Sequence, residues 1–170
     1  WTWPGREGEA IRVIALTNAE TVELRLNGKS LGRKPVDRLA MPEWQVTYAP
    51  GRLEAVGYRG GREVSRTAVE TAGKAVALKL VADRRGMLGT GSDVQPFTVM
   101  AVDAKGRVVP DADARVSFRV TKGVVIGVGN GDPNDHDSEI VPARRLFHGL
   151  AQALVRAEAG AGTLTVEATA

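Results

Sequence analysis

Apolar and polar residues alternate with period two along most of this chain, and that alternation restricts the fold more than any other feature. Val22, Leu24 and Leu26 are interleaved with Glu23 and Arg25, and Asn27-Gly28 follows at once. Asn-Gly after an alternating run is a strong hairpin signal, because both turn positions take positive φ. Trp44, Val46 and Tyr48 alternate with Gln45 and Thr47. The stretch from Leu53 to Tyr58 reads as a strand, Arg59-Gly60-Gly61-Arg62 as a turn, and Glu63 to Thr71 as the return. With Ile11 to Thr17, about six short strands fit the first 70 residues, the spacing of a sandwich.

Thr71-Ala72-Gly73-Lys74-Ala75 breaks the pattern with small residues and reads as a short linker. Beyond it, Val76, Leu78 and Leu80, then Phe97, Val99 and Ala101, then Val116, Phe118 and Val120 each occupy alternate positions. The chain closes on Leu164, Val166 and Ala168. No segment carries a 3.6-residue apolar stripe over three turns. Gly149 to Arg156 is rich in alanine and leucine, yet it is short and follows a glycine, so a strand is expected there. The expectation is all-β: two tandem immunoglobulin-like β-sandwiches, residues 1–73 and 74–170, without the Cys…Trp…Cys pattern of antibody domains.

Composition excludes several classes. The 23 basic and 20 acidic residues are scattered without a block of five like charges, which argues against a nucleic-acid surface. With no cysteine there are no disulfides or thiolate metal sites. No apolar run approaches the ~20 residues of a membrane span. The opening at Trp1, without methionine and directly in a motif, reads as a piece of something longer.

The segment Gly127-Val128-Gly129-Asn130-Gly131-Asp132-Pro133, with His136 and Arg144-Arg145-Leu146-Phe147-His148-Gly149 after it, is the most distinctive stretch. Glycine adds no side chain and proline removes a ladder donor, so a strand is not expected to continue through it. The excursion from Asp132 to His148, about 17 residues, exceeds the usual loop length and is expected to be ordered, with Phe147 as an apolar anchor. Arg144 and Arg145 are expected to pair with Asp132 or Asp137 and pin it. Asp132, Asp135, Asp137 and Glu139 fail the EF-hand pattern in both registers. From Asp132 the twelfth position is Ala143, and from Asp135 it is Leu146. An irregular calcium loop stays open. His136 and His148 have no metal-ligand spacing, and no serine sits in a Gly-x-Ser-x-Gly turn. No cofactor or metal is expected.

Taken in order, four segments resemble the C-terminal accessory region of bacterial glycoside hydrolase family 2 enzymes, chiefly β-galactosidases. They are Trp1-Thr2-Trp3-Pro4-Gly5, the hairpin Glu23 to Gly32, the strand Leu53 to Tyr58, and the segment Val128 to Gly149. Val102 to Phe118 is also similar to invasin-type immunoglobulin-like domains. The resemblance implies a catalytic TIM barrel upstream of Trp1 in a periplasmic or secreted parent, with none of its catalytic residues in this chain. A retaining glycosidase needs two carboxylates ~5 Å apart, and the acid-rich loop offers no rigid pair. The chain is therefore expected to be a non-catalytic, monomeric scaffold whose partners are the other domains of its own parent. The alternative is a carbohydrate-binding module, with Trp1, Trp3 and Tyr58 as a stacking face. The candidate interdomain or sugar-contact residues are Trp1, Trp3, Asn130, Asp132, His136, Arg144 and Phe147.

Overall fold

The computed structural model describes residues 1–37 and 39–170, and among them every regular element is a β-strand. The chain divides into two compact units, Trp1–Thr71 and Ala72–Ala170. All strand pairings are antiparallel. The fold is two tandem β-sandwiches.

In the first unit, β1 (Ala10–Ile14) pairs with β4 (Glu43–Thr47). A second sheet has the order β3-β2-β5-β6, built from β2 (Thr21–Leu26), β3 (Lys29–Pro35), β5 (Arg52–Arg59) and β6 (Arg62–Glu70). The alternation does what it dictates: Val22, Leu24, Trp44, Val46 and Leu53 meet between the sheets, with Trp1 packed against them. Asn27 and Gly28 take φ of 51° and 80° and close the β2–β3 hairpin, as the Asn-Gly pair predicts.

In the second unit, one sheet runs β10-β12-β8-β7, from β7 (Ala77–Ala82), β8 (Val94–Val102), β10 (Gly123–Gly129) and β12 (Leu150–Ala157). The other runs β11-β9-β13, from β9 (Arg115–Thr121), β11 (Ala143–Arg145) and β13 (Thr165–Thr169). Val99, Ala101, Val116, Phe118, Val128, Leu146, Ala151 and Ala153 form the core. The alanine- and leucine-rich Leu150–Ala157 is a strand, as its brevity and preceding glycine suggest.

The glycine-rich stretch departs from expectation. Strand β10 continues through Gly127, Val128 and Gly129, pairing with Leu154, Ala153 and Gln152. Gly127 and Gly129 keep the extended backbone of their strand, and of the three glycines only Gly131 has positive φ, at 79°. The β-branched run Val124-Val125-Ile126 carries the strand, and a bulge between Val125 and Gly127 absorbs the irregularity. The excursion that follows is also interrupted, because β11 adds to the edge of β9.

Candidate interaction surfaces

The loop after β10 is built on its own side chains. Asn130 Oδ1 accepts the Asp132 amide at 3.0 Å, and its Nδ2 donates to Asp135 Oδ2 at 2.7 Å and to the Arg145 carbonyl at 3.1 Å. Asp132 Oδ1 caps the amide of Asn134 at 2.9 Å, and Asp135 Oδ1 that of Asp137 at 2.9 Å. These are the local side-chain-to-backbone bonds that let Asn and Asp replace a ladder. The loop backbone also ties into the sandwich: the Val128 amide donates to the Glu139 carbonyl, and the Phe118 amide to the Pro142 carbonyl.

Arg144 is the hub, 3% exposed in the middle of β11. Its guanidinium donates to the Asp137 carbonyl at 2.6 Å, and its Nε lies 2.9 Å from Asp135 Oδ2. That Nε–H is not aimed at the oxygen, so the second contact is held by charge rather than by a hydrogen bond. The tie exists and includes the Asp137 carbonyl, but the carboxylate pairs differ from the expected ones. Asp135 takes Arg144, Asp137 takes Arg115 at 2.5 Å, and Arg145 reaches the carbonyl of Asp113 at 3.2 Å. Bonds to the Asp137 amide, Asn130 and the Arg144 charge hold the Asp135 carboxyl below its ordinary range. Asp132 is half-buried and His136 exposed on the same loop. Phe147 is half-buried beside His148, ring centroids 4.2 Å apart, where His148-Gly149 forms a tight turn into β12.

Trp1 and Trp3 belong to the first unit. Trp1 stands edge-on to Tyr48, with centroids 5.1 Å apart, and donates from Nε1 to the Ala49 carbonyl at 3.0 Å. Its ring is spent on its own unit, although nothing in its terminal position signalled that. Trp3 is 42% exposed, with the Arg6 guanidinium 5.6 Å from its ring centroid. Tyr58 lies under Arg33, whose guanidinium carbon is 3.6 Å from the ring centroid. An open platform of Trp1, Trp3 and Tyr58 is not formed.

The two four-stranded sheets differ sharply on their outer faces. In β3-β2-β5-β6, Glu23 pairs with Arg25 at 2.8 Å and accepts the Tyr58 hydroxyl at 3.1 Å, while Glu54 pairs with Arg52 at 3.0 Å and Arg66 at 2.7 Å. Hydrogen bonding from Arg25, then Ser30 and Tyr58, brings the Glu23 carboxyl down to about 2. Such a lattice of charges is a face made for water.

The outer face of β10-β12-β8-β7 is largely apolar, with Lys79, Thr98, Gln152 and Arg156 as its polar members. In β12 the small residues Ala151, Ala153 and Ala157 point into the sandwich with Val155, while Leu150 and Leu154 point out, 36% and 40% exposed. Beside them lie Val94 and Met100 of β8, Val124 and Ile126 of β10, and Val81 of β7. Gly127 and Gly129 stand opposite Leu154 and Gln152 and leave bare backbone on the same face. A shallow hollow lined by Thr98, Gly129, Asn130, Gly131, Leu150 and Gln152 joins this face to the loop. The structure thus brings Asn130 to the edge of the apolar face, and buries Arg144 behind the loop. Sequence reasoning missed the face because expecting a strand over Gly149 to Arg156 does not settle which of its sides is covered. The small residues alternating with Leu150 and Leu154 were the available signal.

Among the described residues, no group of three or more His, Cys, Asp or Glu side chains is placed to hold a metal ion. Hydrogen bonds and ion pairs lower the carboxyl groups of Glu23, Glu54, Glu63, Asp93, Asp103 and Asp135.

Residues 78–170 match the sequence model of the glycoside hydrolase family 2 C-terminal domain 5, and residues 8–65 match a domain of unknown function (DUF4982). The chain is 34% identical to the beta-galactosidase BoGH2A of Bacteroides ovatus over 99% of its own length and 20% of that protein. It is 28% identical to a beta-glucuronidase of Formosa agariphila over 98% of its length and 17% of that protein. Among solved structures, a glycosyl hydrolase family 2 member from Bacteroides cellulosilyticus superposes with a TM-score of 0.94 at 35% identity, over 99% of this chain and 24% of that one. A beta-glycosidase from Bacteroides vulgatus gives 0.91 at 34% identity, over 99% and 22%. The chain spans about a fifth of the length of the curated relatives it matches.

Proposed function

This chain belongs to the glycoside hydrolase family 2 C-terminal domain 5 family, and from that premise we propose that it is a non-catalytic accessory region. Its apolar β10-β12-β8-β7 face docks on the other domains of a parent enzyme that cleaves terminal β-galactosides.

The observation that carries the reading is the pattern of β12, with three alanines and Val155 inside and Leu150 and Leu154 outside beside Gln152 and Arg156. A strand that spends its small residues on the core and its large ones on the surface has a second surface to cover. Exposed apolar patches of this kind, rimmed by polar residues, mark interaction sites. The relatives supply the occupant, since each is several times longer than this chain and aligns with nearly all of it. The β-galactoside preference leans on the Bacteroides ovatus relative.

Activity assays separate the parts of this reading. The parent is expected to hydrolyse p-nitrophenyl β-galactoside, and the isolated chain to leave it untouched. Turnover by the isolated chain would overturn the accessory role, and a parent that cleaves only the β-glucuronide would overturn the substrate assignment.

A further inference from the structure

We propose a binding site for a sugar carboxylate, a uronate free or at the end of a glycan, at the open end of the second sandwich. The cavity there has a volume of about 730 Å³, within the roughly 300–1,000 Å³ usual for small-molecule sites. It lies between the segment joining β7 to β8 and the segment joining β12 to β13.

Its floor is formed by the first inward-facing residues of β8. Gln95 is 3% exposed and Phe97 7% exposed, and Leu164 closes the floor from the other side. The Gln95 Oε1 accepts the Arg84 amide at 2.9 Å, which fixes the oxygen because the backbone group there can only donate. The Nε2 must therefore be the other end of the amide, and among the described residues it has no acceptor. Gln95 lines the cavity, so a ligand oxygen there can accept from this amide nitrogen.

The rim is charged and held in place. Arg84 is committed to Asp93 at 2.9 Å, and Asp93 also accepts the Leu88 amide at 2.6 Å, so the first segment is fixed. The second is tied to it where the Gly160 amide donates to the Gly89 carbonyl at 2.9 Å. Arg85 and Lys122 also line the cavity without an ion pair among the described residues, and Glu158 is the opposing charge. Lys122 holds φ at 61°, a conformation that glycine or asparagine adopts more cheaply.

These groups select a ligand. The apolar floor suits the C–H face of a pyranose, the Gln95 Nε2 donates to a ring or hydroxyl oxygen, and two cations against one carboxylate favour an anionic substituent. A neutral sugar leaves the cations unused, and a bare carboxylate leaves the floor empty.

The site lies wholly within this chain, so the test needs no parent. The ¹⁵N-labelled chain is titrated with sodium D-glucuronate, methyl β-D-glucuronide, D-glucose and sodium acetate at matched ionic strength. Saturable amide shifts confined to residues 82–97, 122 and 157–164 are expected for both uronates, with glucose and acetate at least about tenfold weaker. Response to the free acid but not the glycoside would restrict the ligand to the monosaccharide. The exposed double variant Arg85→Gln/Lys122→Gln is expected to keep the spectrum of the folded chain and weaken glucuronate by about tenfold or more. Gln95→Met is expected to weaken both uronates. Equal binding of acetate or glucose, shifts elsewhere, or full affinity in the double variant would overturn the proposal.

Discussion

Gly149 and Asp103 show how much of the second sandwich hangs on single positions. Gly149 has φ of 77°, and a Cβ there would stand 2.2 Å from the Val109 carbonyl oxygen. Both the conformation and the space exclude a side chain. Gly149→Ala is expected to cost roughly 3 kcal/mol, on the order of 15 °C in the melting temperature of this unit, read by calorimetry. Asp103 is buried and gathers the amides of Gly73, Lys105 and Arg107 and the Arg107 guanidinium. Arg107 first, then the Gly73 amide, hold its carboxyl well below the ordinary 3.8. A lowered folded-state pKa gives stability that is complete above the unfolded-state value and is lost as pH falls below it. The second unit is therefore expected to weaken as pH drops below about 4. Asp103→Asn should be less stable at pH 7 and show a flatter decline in acid melts.

Among the elements, the strands with one dry face were the legible ones. Val22-Leu24-Leu26 and Trp44-Val46-Tyr48 alternate cleanly because polar residues cover the other side. Strand β10 was obscured because its outward positions at 127 and 129 are glycines, whose lack of side chain mimics a turn. The long excursion after it was read correctly as tied by arginine, but burial of Arg144 could not be seen in the sequence, since arginine is usually exposed. That burial makes the loop part of the sandwich. Asp135→Ala would leave the Arg144 charge short of its partner, so the isolated chain is expected to melt several degrees lower. An unchanged melt would mean the pair is decorative. The leucines of β12 behave differently. Leu154→Lys is expected to shift the stability of the isolated chain by no more than about 0.5 kcal/mol, as an exposed substitution. In the parent, a lysine forced into a covered apolar contact should cost about 2 kcal/mol or more.

Taken as a whole, the chain is two sandwiches of one architecture with opposite outer sheets, one laced with ion pairs and one largely apolar. Its fold and family could be read from alternation, one Asn-Gly turn and four ordered segments, whereas the apolar face and the cavity could not. Both depend on which way a side chain points within a strand, and register only emerges when strands pair. The claim that the β10-β12-β8-β7 face docks on the rest of a family 2 enzyme is tested most directly by hydroxyl-radical footprinting. Oxidation of Met100, Ile126, Leu150 and Leu154 would be compared between the isolated chain and the full-length parent. Strong labelling in the isolated chain and protection in the parent are predicted, and equal labelling in both would contradict the account.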